Sequence, residues 1–545
     1  MSKTNLVYNV EDKPGWGKTI VFALQQLLAI MAATIAVPMI VGNGMSTSAA
    51  LFGAGVGTLV YLLFTKFKSP VVISSSFAFL GALGNAIAFG YMGIALGALF
   101  AGLVYVIIAL VVKTVGTNWV KKLLPPVIIG PVVAIIGLSL AVNAAGDMTT
   151  AAGASVNHGY NLVALLCGLV TFFTVVICSV QSKAKTLKLT PFITGIGAGY
   201  LLASIFSAIG YAADVEYLKI IDWSPIVNNF KEIKFSSFID MPRLSLVEGI
   251  KELVNGKVSD EILAANPNAQ PLTWIGVAEV ALAFIPVAFV VFAEHIADHT
   301  NLGTIVNKDL LNEEPGLSRT LLGDGVGSIV GTFFGVCPNT TYGESVGCVA
   351  ITKNASVRTI FTAAIMLIIL AFLSPVTAVL TTIPNAVMGG VCLTLYGFIA
   401  VSGLKMFKQV DLNDSKNLFT VAAIMIAGIG GLALKIPYAF NKADVLQTFV
   451  NENGIKEVAY NFTVVEEAGA EVIKVGDPIV LMKAGEVTNT ITITSIATAL
   501  FLGIATYAIA NFVEKKFGDK KAAVAEVSDA PEAAEEPAEN AEENK

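Results

Sequence analysis

Four acidic residues stand in otherwise apolar stretches of this sequence: Glu294, Asp298, Asp324 and Glu344. A carboxylate inside a membrane is costly, so its presence there predicts ligand binding or proton movement. Glu294 and Asp298 are four residues apart, which places them on one face of a helix. Carboxylates that share a low-dielectric site cannot all stay ionised, and we expect at least one of them to take up and release a proton. They also accept N–H bonds from a polar ring.

Two residues of this set, and the neighbouring His295, have structural interpretations as well. Asp298 could bridge to a backbone amide or to Lys308, and Asp324, between two glycines at the expected start of a helix, could cap that helix. His295 points away from the face of Glu294, so packing and proton relay are both open roles for it.

Composition indicates where these residues lie. The chain has 545 residues, of which 55% are hydrophobic and only 14% are charged. Soluble domains have about 25% charged residues, so this chain has too few to cover a water-facing surface. Apolar blocks of about 18–25 residues recur along it, which is the length that crosses about 30 Å of hydrocarbon. We therefore predict an all-α polytopic membrane protein. Its five cysteines lack metal-ligand spacing, and no metal or cofactor is expected beyond a coupling proton.

Fourteen apolar segments are candidate membrane spans. The first seven cover residues 19–42, 48–66, 70–86, 90–112, 124–143, 161–181 and 191–212. The second seven cover residues 274–300, 318–336, 338–352, 358–374, 383–404, 417–434 and 491–512. Two halves with an odd number of spans each are inverted relative to one another, so we expect inverted repeats over 19–212 and 274–512.

Positive charge predicts the orientation, because Lys and Arg of short connections stay in the cytoplasm. Alternate connections and the region after the last span are basic, at Lys66, Lys68, Lys113, Lys121, Lys122, Lys183, Lys185, Lys188, Lys308, Arg319, Lys353, Arg358, Lys405, Lys408, Lys416, Lys515 and Lys516. Residues 1–18 and 513–545 are therefore expected in the cytoplasm, and the polar stretches 213–273 and 435–490 outside. The second stretch has the pattern of a small β-rich cap, and the acidic tail that of a disordered segment.

Segments 3 and 10, which correspond in the two halves, are poor helices. Near their starts, Ser69–Phe79 and Cys337–Ser345 each have a proline followed by β-branched and hydroxyl residues, which prefer extended backbone. Interrupted segments at matching positions are typical of a midplane substrate site. We expect two short antiparallel strands, each followed by a half-helix whose N-terminus directs amide groups at a ligand. The alternative is a pair of proline-kinked helices.

These residues resemble the nucleobase/ascorbate transporter family, and within it the bacterial uracil permeases. The resemblance extends from the first span to the last and is densest over residues 290–405. It depends on four strings that are specific in combination: Ala293–Ile296, Leu321–Val326, Pro338–Glu344 and Val387–Val391. It implies two inverted seven-helix repeats divided into a core domain and a gate domain. The core would comprise 19–112 and 274–374, and the gate 124–212 and 383–512.

The resemblance also implies proton-coupled import of a nucleobase, uracil first, by an elevator-like movement of core against gate in the cell membrane. Carried over by position, Glu294 and Glu344 bind the base, and the amides of Phe77 and Gly343 donate to its carbonyls. Phe77 and Tyr342 would line the pocket, Tyr396 would face it from the gate, and Asp298 matches a position linked to proton coupling. Three further residues would support the site structurally: Asp324, Gln26 and Ser345. The expected partners are the base and the lipid bilayer, with no nucleic acid, and a homodimer is common in this fold family.

Three departures bear on substrate and coupling. Uracil carriers of the family usually have His where this chain has Asp298, whereas purine-transporting relatives often have Asp. The family's usual Gln-His pair in the first span is Gln25–Gln26 here. The family's acidic-or-amide residue followed by Asn is Glu344–Ser345 here, and Glu fits the pyrimidine carriers because a carboxylate accepts from ring N–H groups. The alternative is a xanthine/uracil or broader purine-pyrimidine permease.

Other classes fit less well. An anion carrier of the sulfate-permease kind would not place two glutamates at its ligand. A membrane aspartyl hydrolase needs paired carboxylates presented to water and a peptide, and a duplicated architecture argues against it. An ion channel would have rings of like groups or a filter sequence, and neither is found.

Overall fold

The computed structural model describes residues 5–150, 160–181, 187, 190–440, 445–446, 448–450, 456–467, 470–483 and 487–517. These residues are mostly helical. The helices are α1 (Trp16–Val41), α2 (Thr47–Phe64), α3 (Leu80–Ala86), α4 (Gly90–Val115), α5 (Asn118–Leu123), α6 (Pro126–Thr149), α7 (Leu162–Val180), α8 (Pro191–Ala213), α9 (Ser224–Lys231), α10 (Ser245–Asn255), α11 (Asp260–Ala265), α12 (Trp274–Val306), α13 (Gly316–Phe334), α14 (Gly343–Thr352), α15 (Val357–Ala371), α16 (Ser374–Thr381), α17 (Asn385–Lys405), α18 (Ser415–Ile429) and α19 (Ser495–Phe517).

Helices long and apolar enough to cross a membrane confirm a multi-pass membrane protein. In the described part of the chain, nine stretches qualify: Trp16–Val41, Thr47–Phe64, Phe77–Val115, Pro126–Thr149, Leu162–Val180, Pro191–Ala213, Trp274–Val306, Asn385–Gln409 and Ser495–Lys516. Helices α15 and α18 are apolar but shorter. Each expected span contains a helix. The count of fourteen membrane crossings stays a prediction. Helix α3 belongs to the same apolar stretch as α4, and α13 and α14 are not among the nine stretches that are long and apolar enough to cross a membrane.

Close helix packing depends on glycines at two contacts. A Cβ atom on Gly53 of α2 would lie 2.3 Å from the carbonyl oxygen of Gly331 on α13. A Cβ atom on Gly137 of α6 would lie 2.1 Å from the carbonyl oxygen of Tyr396 on α17. Both distances exclude a side chain, and small residues of this kind let helices in a membrane approach each other closely.

Two short strands interrupt the helical architecture, as predicted. Strand β1 (Ile73–Ser75) pairs antiparallel with β2 (Asn339–Thr341). The Thr58 hydroxyl of α2 donates to the Ile73 carbonyl at 3.1 Å, and the Asn339 side chain donates to the Gly53 carbonyl at 3.0 Å. Extended backbone is tolerated at membrane depth only where protein satisfies its polar groups, and these bonds do so. The proline-kinked alternative is therefore wrong.

The stretch 213–273 contains α9, α10 and α11 and is tied to the helical bundle by a buried carboxylate. Glu252 of α10 is 8% exposed, and its two oxygens accept from the amides of Tyr91, Met92 and Ser259 at 2.8, 3.4 and 3.1 Å. Tyr91 and Met92 lie in the first turn of α4, whose amides have no intrahelical acceptor. Glu252 therefore caps α4 from this stretch.

Replacing Glu252 by Ala is expected to lower the free energy of unfolding by about 1–3 kcal/mol, because buried amide donors lose their acceptor. Thermal unfolding in detergent measures this change. Glu248→Ala is the matched control, since Glu248 lies on the same helix and makes an exposed ion pair with Lys251 at 2.8 Å. That control should change stability by less than about 1 kcal/mol. Equal losses in both variants would contradict the capping role.

The connection expected over 375–382 is instead helical, as α16. Its second residue is a proline, which a first helical turn accommodates. The amide of Ser374 donates to the Phe238 carbonyl at 3.1 Å, and the amide of Asp240 donates to the Phe372 carbonyl at 3.0 Å. The stretch 213–273 therefore also holds the start of α16.

The second long polar stretch, 435–490, is β-rich, as predicted. Its strands are β3 (Leu434–Phe440), β4 (Val445–Leu446), β5 (Thr448–Val450), β6 (Lys456–Val458), β7 (Tyr460–Glu467), β8 (Ala470–Pro478), β9 (Val480–Met482) and β10 (Val487–Ile493). They form four antiparallel pairs: β3 with β10, β4 with β9, β5 with β6, and β7 with β8. The disorder predicted for the tail concerns residues after 517, which lie outside the described residues.

Candidate functional site

A cavity of about 480 Å³ lies where β2, α12 and α14 face α17. Six of the residues predicted for the site line it: Phe77, Glu294, Asp298, Tyr342, Gly343 and Glu344. Its volume falls within the range of about 300–1,000 Å³ that small-molecule sites occupy. The structure therefore brings together residues from both halves of the sequence around a space that fits one small ligand.

Three carboxylates face this cavity from two helices. Glu294 and Asp298 lie one turn apart on α12, and Glu344 is the second residue of α14. A negative charge is favoured in the first turn of a helix, so the position of Glu344 is electrostatically supported. The hydrogen-bond partner of Asp298 is the Thr341 hydroxyl at 3.0 Å, instead of Lys308 or a backbone amide. Among the described residues, no group of three or more His, Cys, Asp or Glu is placed to hold a metal ion.

Each strand leads directly into a helix that starts at the cavity. After β1, Phe77 opens a 3₁₀ turn that continues into α3, and after β2, Gly343 opens α14. The first amides of a helix have no acceptor within that helix. The antiparallel pairing of β1 and β2 thus brings two helix N-termini, with free N–H donors, to one ligand site.

Aromatic side chains form part of the cavity wall. The Phe77 ring meets the Tyr396 ring edge-on, with centroids 5.3 Å apart and an interplanar angle of 88°. The Tyr342 hydroxyl donates to the Ser75 carbonyl at 2.5 Å, which fixes the ring against β1. Tyr396 is 2% exposed and lies behind Phe77, outside the set of cavity-lining residues. Its contact with the site is therefore through Phe77.

Gln26 and Ser345 are hydrogen-bonded to each other next to the start of α14. The Gln26 amide group donates to the Ser345 carbonyl at 3.3 Å and also to its hydroxyl. The Ser345 hydroxyl in turn accepts from the amide of Val72 at 3.0 Å. These bonds join α1, the start of α14 and the residue before β1, and so hold the helix that presents Glu344.

Asp324 lies in the middle of α13 and not at its start, so the interpretation of this residue as a helix cap is wrong. The helix begins at Gly316, before the expected start of span 9. The side chain of Asp324 is buried, and its Oδ2 atom lies 2.7 Å from Nδ1 of His295. His295 thus has a specific polar partner and is more than a packing residue.

Sequence reasoning missed several polar residues of the cavity. Ser76, directly after β1, and Thr340, in the middle of β2, are 1% and 2% exposed, and their hydroxyls have no hydrogen-bond partner among the described residues. Asn301, Ser402 and Lys405 line the cavity further from the strands. Hydroxyl residues in the poor-helix segments were a signal for the first two. Lys405 was attributed to a basic connection, but it is the last residue of α17 and lines the cavity together with Ser402 of that helix.

Comparison with known proteins gives a consistent family. Residues 17–436 match the model of the Permease family, Xan_ur_permease. The uracil permease of Bacillus caldolyticus is 36% identical over 440 residues, which cover 80% of this chain and 90% of that protein. The uracil permease of Bacillus subtilis (strain 168) is 34% identical over 439 residues, which cover 80% of this chain and 91% of that protein. The uracil permease of Escherichia coli (strain K12) is 32% identical over 451 residues, which cover 82% of this chain and 92% of that protein.

Solved structures resemble this chain more distantly. The transmembrane domain of the cyanobacterial bicarbonate transporter BicA is 13% identical, with a TM-score of 0.48, and the match covers 77% of this chain and 97% of that one. The murine anion transporter Slc26a9 is 11% identical, also with a TM-score of 0.48, and the match covers 77% of this chain and 66% of that one.

Proposed function

Because this chain belongs to the nucleobase/ascorbate transporter family, in which its matched relatives are permeases and not enzymes, we propose that it imports uracil together with protons. The observation that carries the proposal is the cavity into which Glu294 and Glu344 project beside two helix N-termini. The alternative substrate range is that of a xanthine/uracil or broader purine-pyrimidine permease.

The chemistry of this cavity complements a pyrimidine with alternating N–H and carbonyl groups. Carboxylates accept only, so Glu294 and Glu344 accept from the ring N–H groups when ionised. The amides of Phe77 and Gly343 donate to the ring carbonyls, as helix N-termini commonly do for electron-rich groups. The rings of Phe77 and Tyr342 cover the apolar faces of the base, and Tyr396 acts from the gate through Phe77.

Transport by this site requires alternating access and a coupling ion. We assign proton coupling to Asp298, which faces the same cavity as the two glutamates. The core, 19–112 with 274–374, moves as an elevator against the gate, 124–212 with 383–512, and the two halves are inverted seven-span repeats. Close packing of α2 with α13, and separately of α6 with α17, supports this division. Both termini are cytoplasmic in the cell membrane, and the assembly is a homodimer.

Uptake into proteoliposomes tests the function. The purified protein is expected to accumulate labelled uracil when an inward proton gradient is imposed, and to lose accumulation when an ionophore collapses the gradient. Labelled xanthine, tested in parallel, decides between the narrow and the broad substrate range. Empty liposomes and Glu279→Gln, a carboxylate of α12 outside the main cavity, are the controls. Absence of gradient-stimulated uptake of both bases would reject the proposal.

A further inference from the structure

A histidine and a carboxylate are paired behind the cavity, where the binding chemistry does not use them. His295 of α12 and Asp324 of α13 are 0% and 1% exposed, and His295 Nδ1 lies 2.7 Å from Asp324 Oδ2. The other ring nitrogen, Nε2, lies 3.0 Å from the hydroxyl oxygen of Thr320. Within the described chain, His295 is the one basic group in ion-pair range of Asp324.

The neighbours of Thr320 indicate which nitrogen of His295 bears hydrogen. The Thr320 hydroxyl has one hydrogen, and the Leu317 carbonyl, which can only accept, lies 3.1 Å from it. With the hydroxyl donated there, its oxygen accepts from His295, so Nε2 carries a hydrogen. In a neutral imidazole the other nitrogen is then an acceptor. Nδ1 consequently needs a donor, and the group beside it is the carboxyl of Asp324.

The surroundings disfavour a charged form of this pair. The ring of His299 stacks on that of His295 with centroids 4.0 Å apart, and its Nδ1 lies 2.9 Å from the His295 carbonyl. The Tyr105 ring of α4 meets His295 edge-on at 6.1 Å. Glu294 and Asp298 lie on the same helix, so an ionised Asp324 would add a further negative charge nearby. A buried charge without full compensation is costly, and such groups become neutral instead.

We propose that Asp324 is held as a neutral carboxylic acid that donates its hydrogen to Nδ1 of His295, and that this neutral pair positions α12. His295 directly follows Glu294 and lies one turn before His299. Its two hydrogen bonds both end on α13, so they fix the rotation of α12 and hence the direction of Glu294 and Asp298 into the cavity. Asp324 is a positioning residue, and proton exchange is left to the carboxylates that face the cavity.

Infrared spectroscopy of the full-length protein in lipid tests the protonation directly. The spectrum of the wild type minus that of Asp324→Asn is expected to contain the C=O stretch of a protonated carboxyl group at neutral pH. Asp309→Asn, which removes an exposed carboxylate, should give no such band. In His295→Gln the Asp324 band should persist at a shifted frequency, because its acceptor has changed. This second variant keeps the test decisive if Asp324→Asn does not fold.

The positioning role has a separate readout, which depends on the proposed transport function. An asparagine amide donates to Nδ1 as the acid does, so Asp324→Asn is expected to keep uracil uptake within about threefold of the wild type. Asp324→Ala leaves a buried nitrogen unpaired and should lower uptake about tenfold or more. The proposal is overturned if no protonated-carboxyl band is lost in Asp324→Asn and none shifts in His295→Gln, or if uptake falls equally in both Asp324 variants. The infrared result does not depend on substrate, so its failure is distinct from failure of the proposed function.

Discussion

Replacing Glu344 by Gln is expected to raise the KM for uracil by about 10–150-fold, which corresponds to a hydrogen bond to a charged group of about 1.5–3 kcal/mol. The residue is the second of α14 and lines the cavity. Glutamine keeps one acceptor oxygen but adds an N–H donor, which cannot pair with a ring N–H of the ligand. The helix N-terminus also loses its negative charge. The measurement is initial-rate uptake into proteoliposomes over a range of uracil concentrations.

Xanthine is the discriminating second substrate in this experiment. If Glu344 determines the preference of the site for uracil over xanthine, uptake of xanthine should fall less than uptake of uracil in the Glu344→Gln variant. Equal losses for both bases would show that Glu344 does not set ring selectivity. Glu279→Gln is the matched control, because it removes a carboxylate from α12 outside the main cavity and should leave both KM values near those of the wild type.

The paired strands were predictable because their signal is local. Ser69–Phe79 and Cys337–Ser345 each have a proline followed by β-branched or hydroxyl residues, and this composition disfavours a helix wherever the segment lies. Their pairing followed from the matching positions of the two segments in the halves of the chain. The register, with Ser74 opposite Thr340, could not be predicted because both strands are fully buried, so neither has an exposed face whose polarity would fix it.

The positions of individual site residues were less predictable where they depend on packing between distant segments. The cavity includes Glu294, Asp298 and Glu344, because a carboxylate in an apolar stretch is itself a strong signal. Asp324 was misplaced at a helix start because flanking glycines also suggest a helix end, whereas here it lies within α13. Its partner His295 comes from a different helix.

The stretch 213–273 shows the same limit. Its polar composition correctly predicted that these residues form no membrane span, but the surface on which its short helices pack is set by tertiary contacts with distant segments. The carboxylate of Glu252 reaches the first turn of α4, and only the tertiary structure brings these two segments together. A buried charged residue in a polar loop has no distinguishing signal in a single sequence.

Asp298→Asn is expected to separate binding from coupling. Asparagine retains an oxygen that can accept from the Thr341 hydroxyl, so the geometry of the site should persist and uracil should bind within about threefold of the wild-type affinity. The side chain no longer exchanges a proton, so the proton gradient should no longer drive accumulation. The uracil concentration inside the vesicles should then only reach about the concentration outside. In the wild type, each coupled proton supports up to about tenfold accumulation per pH unit of gradient, since one unit is worth about 1.4 kcal/mol.

The measurements for Asp298→Asn are equilibrium binding, uracil exchange without a gradient, and accumulation under an imposed gradient. Coupling through Asp298 requires that binding and exchange survive while gradient-driven accumulation is lost. Asp309→Asn, an exposed carboxylate beyond the end of α12, should leave all three unchanged. Accumulation that survives in Asp298→Asn would assign coupling to Glu294 or Glu344, which face the same cavity. Loss of binding together with accumulation would instead make Asp298 part of the ligand contact. The three carboxylates share one space, so only a variant that keeps the ligand bound can identify the one that carries the proton.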